Sequence, residues 1–192
     1  MTVRPSVLFD LDGTLADTAR DLSATMNVLL ARYGRETLDI SHVRHMVGAG
    51  AQKIMARGFS LTGSPLSEAE LSDLLDEFIS YYSSHIADHT VLFPGVKEQL
   101  QRLTNAGCLL AVCTNKPEGL SHQLLNALDI RSLFPVVIGG DTLSVKKPDP
   151  LHLTEAITRL GGSRDAAIMV GDSATDIDAA HAAALPSICV SF

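Results

Sequence analysis

Residues 7–18, Val7-Leu8-Phe9-Asp10-Leu11-Asp12-Gly13-Thr14-Leu15-Ala16-Asp17-Thr18, decide how the rest of the chain reads. Val7, Leu8 and Phe9 form a short continuous apolar run, the pattern of a strand buried on both faces and hence of a parallel sheet. The run ends in two aspartates spaced two apart, which a strand directs to the same side. Gly13 and Thr14 follow at once. Crowding two carboxylates at a strand end costs free energy, so the stretch is either a plain acidic turn or part of a site that needs the charge.

Working outward, residues 17–91 read as helices only. Leu22, Met26, Leu29, Leu30 and Tyr33 recur at helical spacing from Asp17 and stop at Gly34. Ser41 is expected to cap a short helix ending at Gly48, and Gly50 precedes another over 51–57. Ser67 and Glu70 form a capping box ahead of Leu71, Leu74, Leu75, Phe78, Ile79 and Tyr82. The character changes at Phe93-Pro94-Gly95. Helical stretches at 96–106, 120–128, 151–160 and 177–183 each precede a short apolar run: CLLAVC, PVVIGG, AAIMVG and SICV. Such alternation implies a parallel sheet whose strands are covered on both faces. The expected architecture is a Rossmann-like, three-layer α/β core of residues 1–16 and 92–192, with an all-helical cap domain, residues 17–91, inserted after the first strand.

Composition narrows the function. With 192 residues, 46% apolar content and a formal net charge of −7, the chain suits a globular protein without a basic stripe for phosphate backbones, so nucleic acid is not an expected partner. No apolar stretch approaches the roughly 20 residues that cross a bilayer, and Asp10 and Asp12 interrupt the first run before it could serve as a secretory signal. Cys108, Cys113 and Cys189 sit in aliphatic surroundings with no framework spacing, and read as buried, reduced thiols of a cytoplasmic protein.

Ligands of an open parallel sheet bind beyond the carboxyl ends of its strands. Those ends carry Asp10-Leu11-Asp12-Gly13-Thr14, Thr114-Asn115-Lys116, the loop from Asp141 to Lys146-Lys147-Pro148, and Asp172-Ser173 with Asp176 beyond. Singly, each has an ordinary explanation: a turn, a helix N-cap, a solvated loop, acids at a helix start. Together they deliver carboxylate, hydroxyl, amide and ammonium groups to one rim. Four carboxylates within a few ångströms would repel by about 3–4 kcal/mol per pair at an effective dielectric near 20, which calls for a cation. Oxygen donors without His or Cys select a hard ion, Mg²⁺ above all. A carboxylate beside such an ion can attack phosphorus, a second one two residues on can protonate the leaving oxygen, and Gly13, Thr114 and Lys147 can cradle the phosphoryl group.

These residues resemble a known family. D-x-D-G-T at 10–14, the strand-end Thr114, K-P at 147–148 and G-D-x-x-x-D at 171–176 look like the four motifs of the haloacid dehalogenase-like phosphatases, and the likeness spans nearly the whole chain. The resemblance implies Asp10 as nucleophile and Asp12 as general acid and base. It implies Mg²⁺ held by Asp10, the Asp12 backbone carbonyl and Asp172, with Ser173 and Asp176 in support. It implies a phosphoryl site of Gly13, Thr14, Thr114, Asn115 and Lys147. The helical insert is similar to the cap of the subgroup holding phosphoglycolate phosphatases, β-phosphoglucomutases and pyrophosphatases, and VGAGA, LFPGV, CTNKP, GGDT and KKPDP are most like the first of these.

The expected activity is therefore hydrolysis of a small phosphorylated metabolite, 2-phosphoglycolate first, by a monomer or homodimer. Sugar phosphomutase and a non-catalytic binding module on the same scaffold are the competing readings. In the cap, the amides of Gly48-Ala49-Gly50 or the side chains of Arg44 and Lys53 could bind the substrate's second anionic group. His42 and His45 read as packing or surface residues. Two departures from the family pattern stand out. Relatives continue for some thirty residues past the strand that ends at Val190, so the chain is either incomplete or short. Ala184 occupies a helix end where Gly is common and where a left-handed conformation would cost about 1 kcal/mol.

Overall fold

A computed structural model describes residues 4–192. In chain order the elements are β1 (Ser6–Phe9), β2 (Ala16–Asp17), α1 (Ala19–Arg32), α2 (Ile40–Arg44), α3 (Ala51–Leu61), α4 (Glu68–Ser84), β3 (Val91–Leu92), α5 (Val96–Asn105), β4 (Leu109–Cys113), α6 (Glu118–Ala127), β5 (Val136–Ile138), α7 (Leu151–Leu160), β6 (Ala167–Gly171), α8 (Ala174–Ala182) and β7 (Ser187–Cys189). Two compact units result, one of residues up to 17 with 92–192 and the other of residues 18–91.

The first unit is built on a parallel sheet of order β5-β4-β1-β6-β7. β1 is central because its chain leaves for β4 on one side and returns through β6 on the other. The ends of these strands form a topological switch point, where a crevice opens. Register then places the acids. Phe9 pairs with Val112 of β4 and Val170 of β6, so Asp10, Thr114 and Asp172 emerge within about one residue of the same level. Leu8, Ala111, Cys113, Val136, Ile138 and Met169 alternate onto one face and pack on Leu153, Ala156 and Ile157 of α7 and Ala179 and Ala180 of α8. On the opposite face Phe9 meets Phe134 edge-on, ring centroids 6.2 Å apart.

The second unit holds α1 to α4 around Met26, Leu29, Leu30, Ile54, Met55, Phe59, Phe78 and Tyr82, all buried. Gly58 lets α3 approach α1, since a side chain there would overlap Met26. The capping box at Ser67 and Glu70 is present. Asp21, buried on α1, accepts hydrogen bonds from the backbone of His89 and from both the amide and hydroxyl of Thr90, tying the first turn of the unit to its last residues.

Expectations are corrected at several points. The stretch read as helices only begins and ends in strand residues, Asp17 of β2 and Val91 of β3. The helix expected to reach Gly48 ends at Arg44, and the one expected over 51–57 runs on to Leu61. The cap of α2 is Asp39, whose carboxylate accepts from Ser41 N–H; an aspartate two residues ahead outcompetes the serine for that amide. β7, at one sheet edge, is exposed along its length, whereas β5 at the other edge is buried. The cysteines differ accordingly: Cys113 is buried, Cys108 half-buried and Cys189, on β7, exposed. Ala184 adopts the left-handed conformation anticipated for it, φ 55°, as does Asp129, which sequence did not single out. Among the described residues no helix is long and apolar enough to cross a membrane.

Candidate active site

β1 delivers Asp10, and its ladder continues one residue further because Asp10 N–H donates to the Val170 carbonyl, 2.9 Å away. The chain then folds back sharply: Leu15 and Ala16 N–H both donate to the Leu11 carbonyl, and Gly13 N–H to that of Ala16. Gly13 has φ 87°, and a β-carbon on it would overlap the Asp172 carboxylate. Glycine is required there for both reasons. Thr14, beside it, donates its hydroxyl proton to Asp172 Oδ1 at 2.7 Å.

Carboxylate oxygens of Asp10, Asp172 and Asp176 lie within 4.8 Å of one another. Lys147 joins them from the loop after β5. Its buried Nζ donates to Asp176 Oδ1 and stands 3.0 Å from Asp10 Oδ1. This second contact is an ion pair by distance without hydrogen-bond alignment, and Asp10 Oδ1 has no aligned donor. Asp176 Oδ2 accepts from the amide and hydroxyl of Ser173 at the start of α8. Gly171 permits this packing, since a side chain there would overlap Asp176.

The electrostatics register the crowding. Burial pushes the Asp10 carboxyl up to about 7 from its ordinary 3.8; Lys147 works against the rise, while Asp176 and Asp12 add to it. Asp172 is also raised, first by burial, with the Thr14 hydrogen bond opposing. Burial disfavours the Lys147 charge, yet Asp10 and Asp176 outweigh it and lift the ammonium above its usual value.

Asp12 lies apart from this trio in its bonding. Its carboxylate is paired with Lys116 Nζ at 2.9 and 3.3 Å, both side chains buried. The four acids are therefore relieved partly by two lysines, where the sequence reading credited a cation alone. Four carboxylates and two ammonium groups leave a formal charge of −2. One divalent ion would neutralise it, and oxygens of Asp10, Asp172 and Asp176 lie close enough together to share one. The donor set thus fits a hard divalent cation, with Asp10 and Asp172 as side-chain ligands.

The remaining expected residues separate by role. Thr114 is buried, and its Oγ1 accepts from Lys116 N–H, leaving its own proton to donate. Asn115 donates to the Lys147 carbonyl, 3.1 Å away, and so holds the lysine's backbone. Gly13 and Thr14 likewise act here on their neighbours. Of the phosphoryl-binding set, Thr114 and Lys147 keep side-chain donors, and Asn115 keeps its second amide N–H. In the helical unit, Gly48 and Gly50 have φ 82° and 93° just ahead of α3, and Arg44 lies in the last turn of α2. Lys53 lines a hollow of about 450 Å³ with His42, His45, Met46, Ala49, Arg57 and Leu61.

Sequence reasoning missed Lys116 and His152. Lys116 directly precedes Pro117, as Lys147 precedes Pro148, so the signal was present twice. His152 is fully buried, its Nε2 bonded to the Gly139 carbonyl, and burial depresses it to about 4. It is a neutral core histidine supporting the loop that carries Lys147.

A parallel sheet switching at β1, with clustered carboxylates and a buried lysine at its carboxyl ends, is an α/β fold with a polar site at its switch point. The chain belongs to the haloacid dehalogenase-like hydrolases: that family's model matches residues 7–190. It is 43% identical to a phosphoglycolate phosphatase of Caulobacter vibrioides over 97% of this chain and 79% of the relative. It is 42% identical to one of Agrobacterium fabrum over 98% and 81%. Among solved structures, a predicted phosphoglycolate phosphatase from Haemophilus somnus superposes with a TM-score of 0.91 at 31% identity, covering 100% of this chain and 87% of that one. Enzymes of this family generally use a divalent metal.

Proposed function

We propose that the protein is a Mg²⁺-dependent phosphate monoester hydrolase that converts 2-phosphoglycolate to glycolate and phosphate. The observation that carries the proposal is the Asp10–Lys147–Asp176–Asp172 cluster at the switch point. The relatives' names supply the substrate.

In the reaction, an Asp10 carboxylate oxygen attacks phosphorus while the ester P–O bond breaks, and Asp12, having first taken a proton from solvent, delivers it to the departing glycolate oxygen. The resulting Asp12 carboxylate then takes a proton from water as the water oxygen attacks phosphorus, which frees Asp10 and releases phosphate. Lys147 and Thr114 donate to the phosphoryl oxygens, whose charge is greatest midway through each transfer. Asp176 and Ser173 hold Lys147, and Asn115 holds its backbone. Asp10, Asp172 and the Asp12 carbonyl would hold Mg²⁺, which would supply positive charge to offset repulsion between the anionic nucleophile and the anionic phosphoryl group. Arg44, Gly48, Gly50 and Lys53 enter the proposal as the helical unit's candidates for contact with the substrate carboxylate. The enzyme is taken to be cytoplasmic, and a monomer or homodimer.

A substrate panel read by phosphate release, with Mg²⁺ present or chelated, tests this. Expected is metal-dependent release fastest from 2-phosphoglycolate. Release from sugar phosphates alone would remove the substrate. Conversion of one sugar-phosphate isomer to another with little net release would replace hydrolysis by mutase chemistry.

A further inference from the structure

The Asp12–Lys116 pair carries an inference that rests on the hydrolase reading and deepens it. Lys116 Nζ reaches both oxygens of the Asp12 carboxylate, at 2.9 and 3.3 Å, which fixes the plane of the group as well as its position. Its own backbone is held on both sides: its N–H donates to Thr114 Oγ1, and its carbonyl accepts from Gly140 N–H at 2.8 Å and from Ser121 Oγ. Gly139 and Gly140 make that approach possible, because a side chain on either would overlap the backbone of Glu118 or Asn115. A rigid turn therefore presents one ammonium to one carboxylate, both about 95% buried.

Buried ion pairs are poor stabilisers, since desolvation consumes most of the attraction; well-packed apolar side chains usually serve a core as well. Orientation is what such a pair supplies. A proton donor must meet the leaving oxygen within hydrogen-bond reach, and small misplacement costs heavily in rate.

We infer that Lys116 is the positioning residue for the acid–base carboxylate: it aims Asp12 at the leaving oxygen in the first half-reaction and at the attacking water in the second. It acts through Asp12, apart from the phosphoryl subsite of Thr114 and Lys147.

The experiment compares single-turnover phosphorylation of Asp10 by 2-phosphoglycolate, whose alkoxide departs only with a proton, and by p-nitrophenyl phosphate, whose phenoxide departs without one. Lys116→Met is expected to slow the first about 100-fold, within the range for loss of a general acid, and the second less than about 5-fold. In an Asp12→Asn background, Lys116→Met should add nothing to the loss with 2-phosphoglycolate, since the two residues work as one unit. Tungstate affinity, measured by calorimetry, should stay within about 2-fold, because that oxyanion probes the phosphoryl subsite alone. Lys116→Arg keeps the charge and covers the case in which Lys116→Met does not fold; it too should slow the alkyl substrate more than the aryl one. Equal slowing with both substrates, additive losses in the double variant, or weakened tungstate binding would overturn the assignment. An inactive wild-type protein would instead overturn the hydrolase reading on which it rests.

Discussion

Lys147 Nζ stands 3.0 Å from Oδ1 of Asp10, and both side chains are almost wholly buried. A strand-end acid and a loop lysine from distant parts of the sequence thus form the electrostatic centre of the α/β unit. Removing the lysine strands two carboxylates, Asp10 and Asp176, without their cation. Lys147→Met is expected to reduce phosphate release at least 100-fold and to destabilise the fold by about 3–5 kcal/mol, the usual consequence of leaving a buried charge unpaired. Urea unfolding alongside turnover checks it. Unchanged stability would show that the pair is not held as described.

Asp10 gives the pH dependence of the metal-free protein. Its carboxyl is raised from 3.8 to about 7, chiefly by burial. Below the lower value the folded and unfolded chains both carry the proton; between the two values only the folded chain keeps it, so stability falls as pH rises through that window. The metal-free protein is expected to melt at a higher temperature at pH 5 than at pH 8, and Asp10→Asn should raise the melting temperature at pH 8 by about 2–4 °C per kcal/mol of strain relieved. Mg²⁺ should raise the wild-type value at pH 8 and have little effect on the variant. Thermal melts of both proteins at the two pH values check it.

Gly13 is constrained twice, by φ 87° and by the Asp172 carboxylate beside it. Gly13→Ala should cost about 1–3 kcal/mol of stability from backbone strain alone. Displacement of Asp172 should weaken Mg²⁺ binding further, which a calorimetric titration would register. Normal Mg²⁺ affinity in a folded variant would contradict the close approach.

Ala184 provides the opposite case, an exposed residue in the left-handed region at φ 55°. Ala184→Gly should stabilise the protein by about 1 kcal/mol, with turnover unchanged, because only the cost of placing a β-carbon in that conformation is removed. A chemical denaturation midpoint that does not rise would contradict this.

These cases show what the linear sequence carries. Asp10, Asp12 and Asp172 were legible as candidates because each follows an apolar run at a strand's carboxyl end, and Lys147 because it precedes Pro148 in the loop after another; parallel topology brings such ends together. Lys116 carries the same Lys-Pro signal at a strand end, but its pairing with Asp12 does not show in the sequence, because the partner lies on another loop. Thr14 and Asn115 were legible as candidates only, and the groups they touch are tertiary facts: Thr14 bonds Asp172 and Asn115 the Lys147 backbone. β7 shows the reverse error. Its apolar run looks like those of β4 and β6, yet Ile188 is 49% exposed, because an apolar run does not record whether a neighbour covers it.

The central claim is that Asp10 takes up the phosphoryl group. Rapid mixing of the protein with 2-phosphoglycolate and Mg²⁺, acid quenching and peptide mass spectrometry would locate it. The expected result is a transient, acid-stable phosphate on the peptide containing Asp10, absent in Asp10→Asn. Phosphate release with no phosphorylated Asp10 at any time point, or with the group found on another residue, would contradict the account.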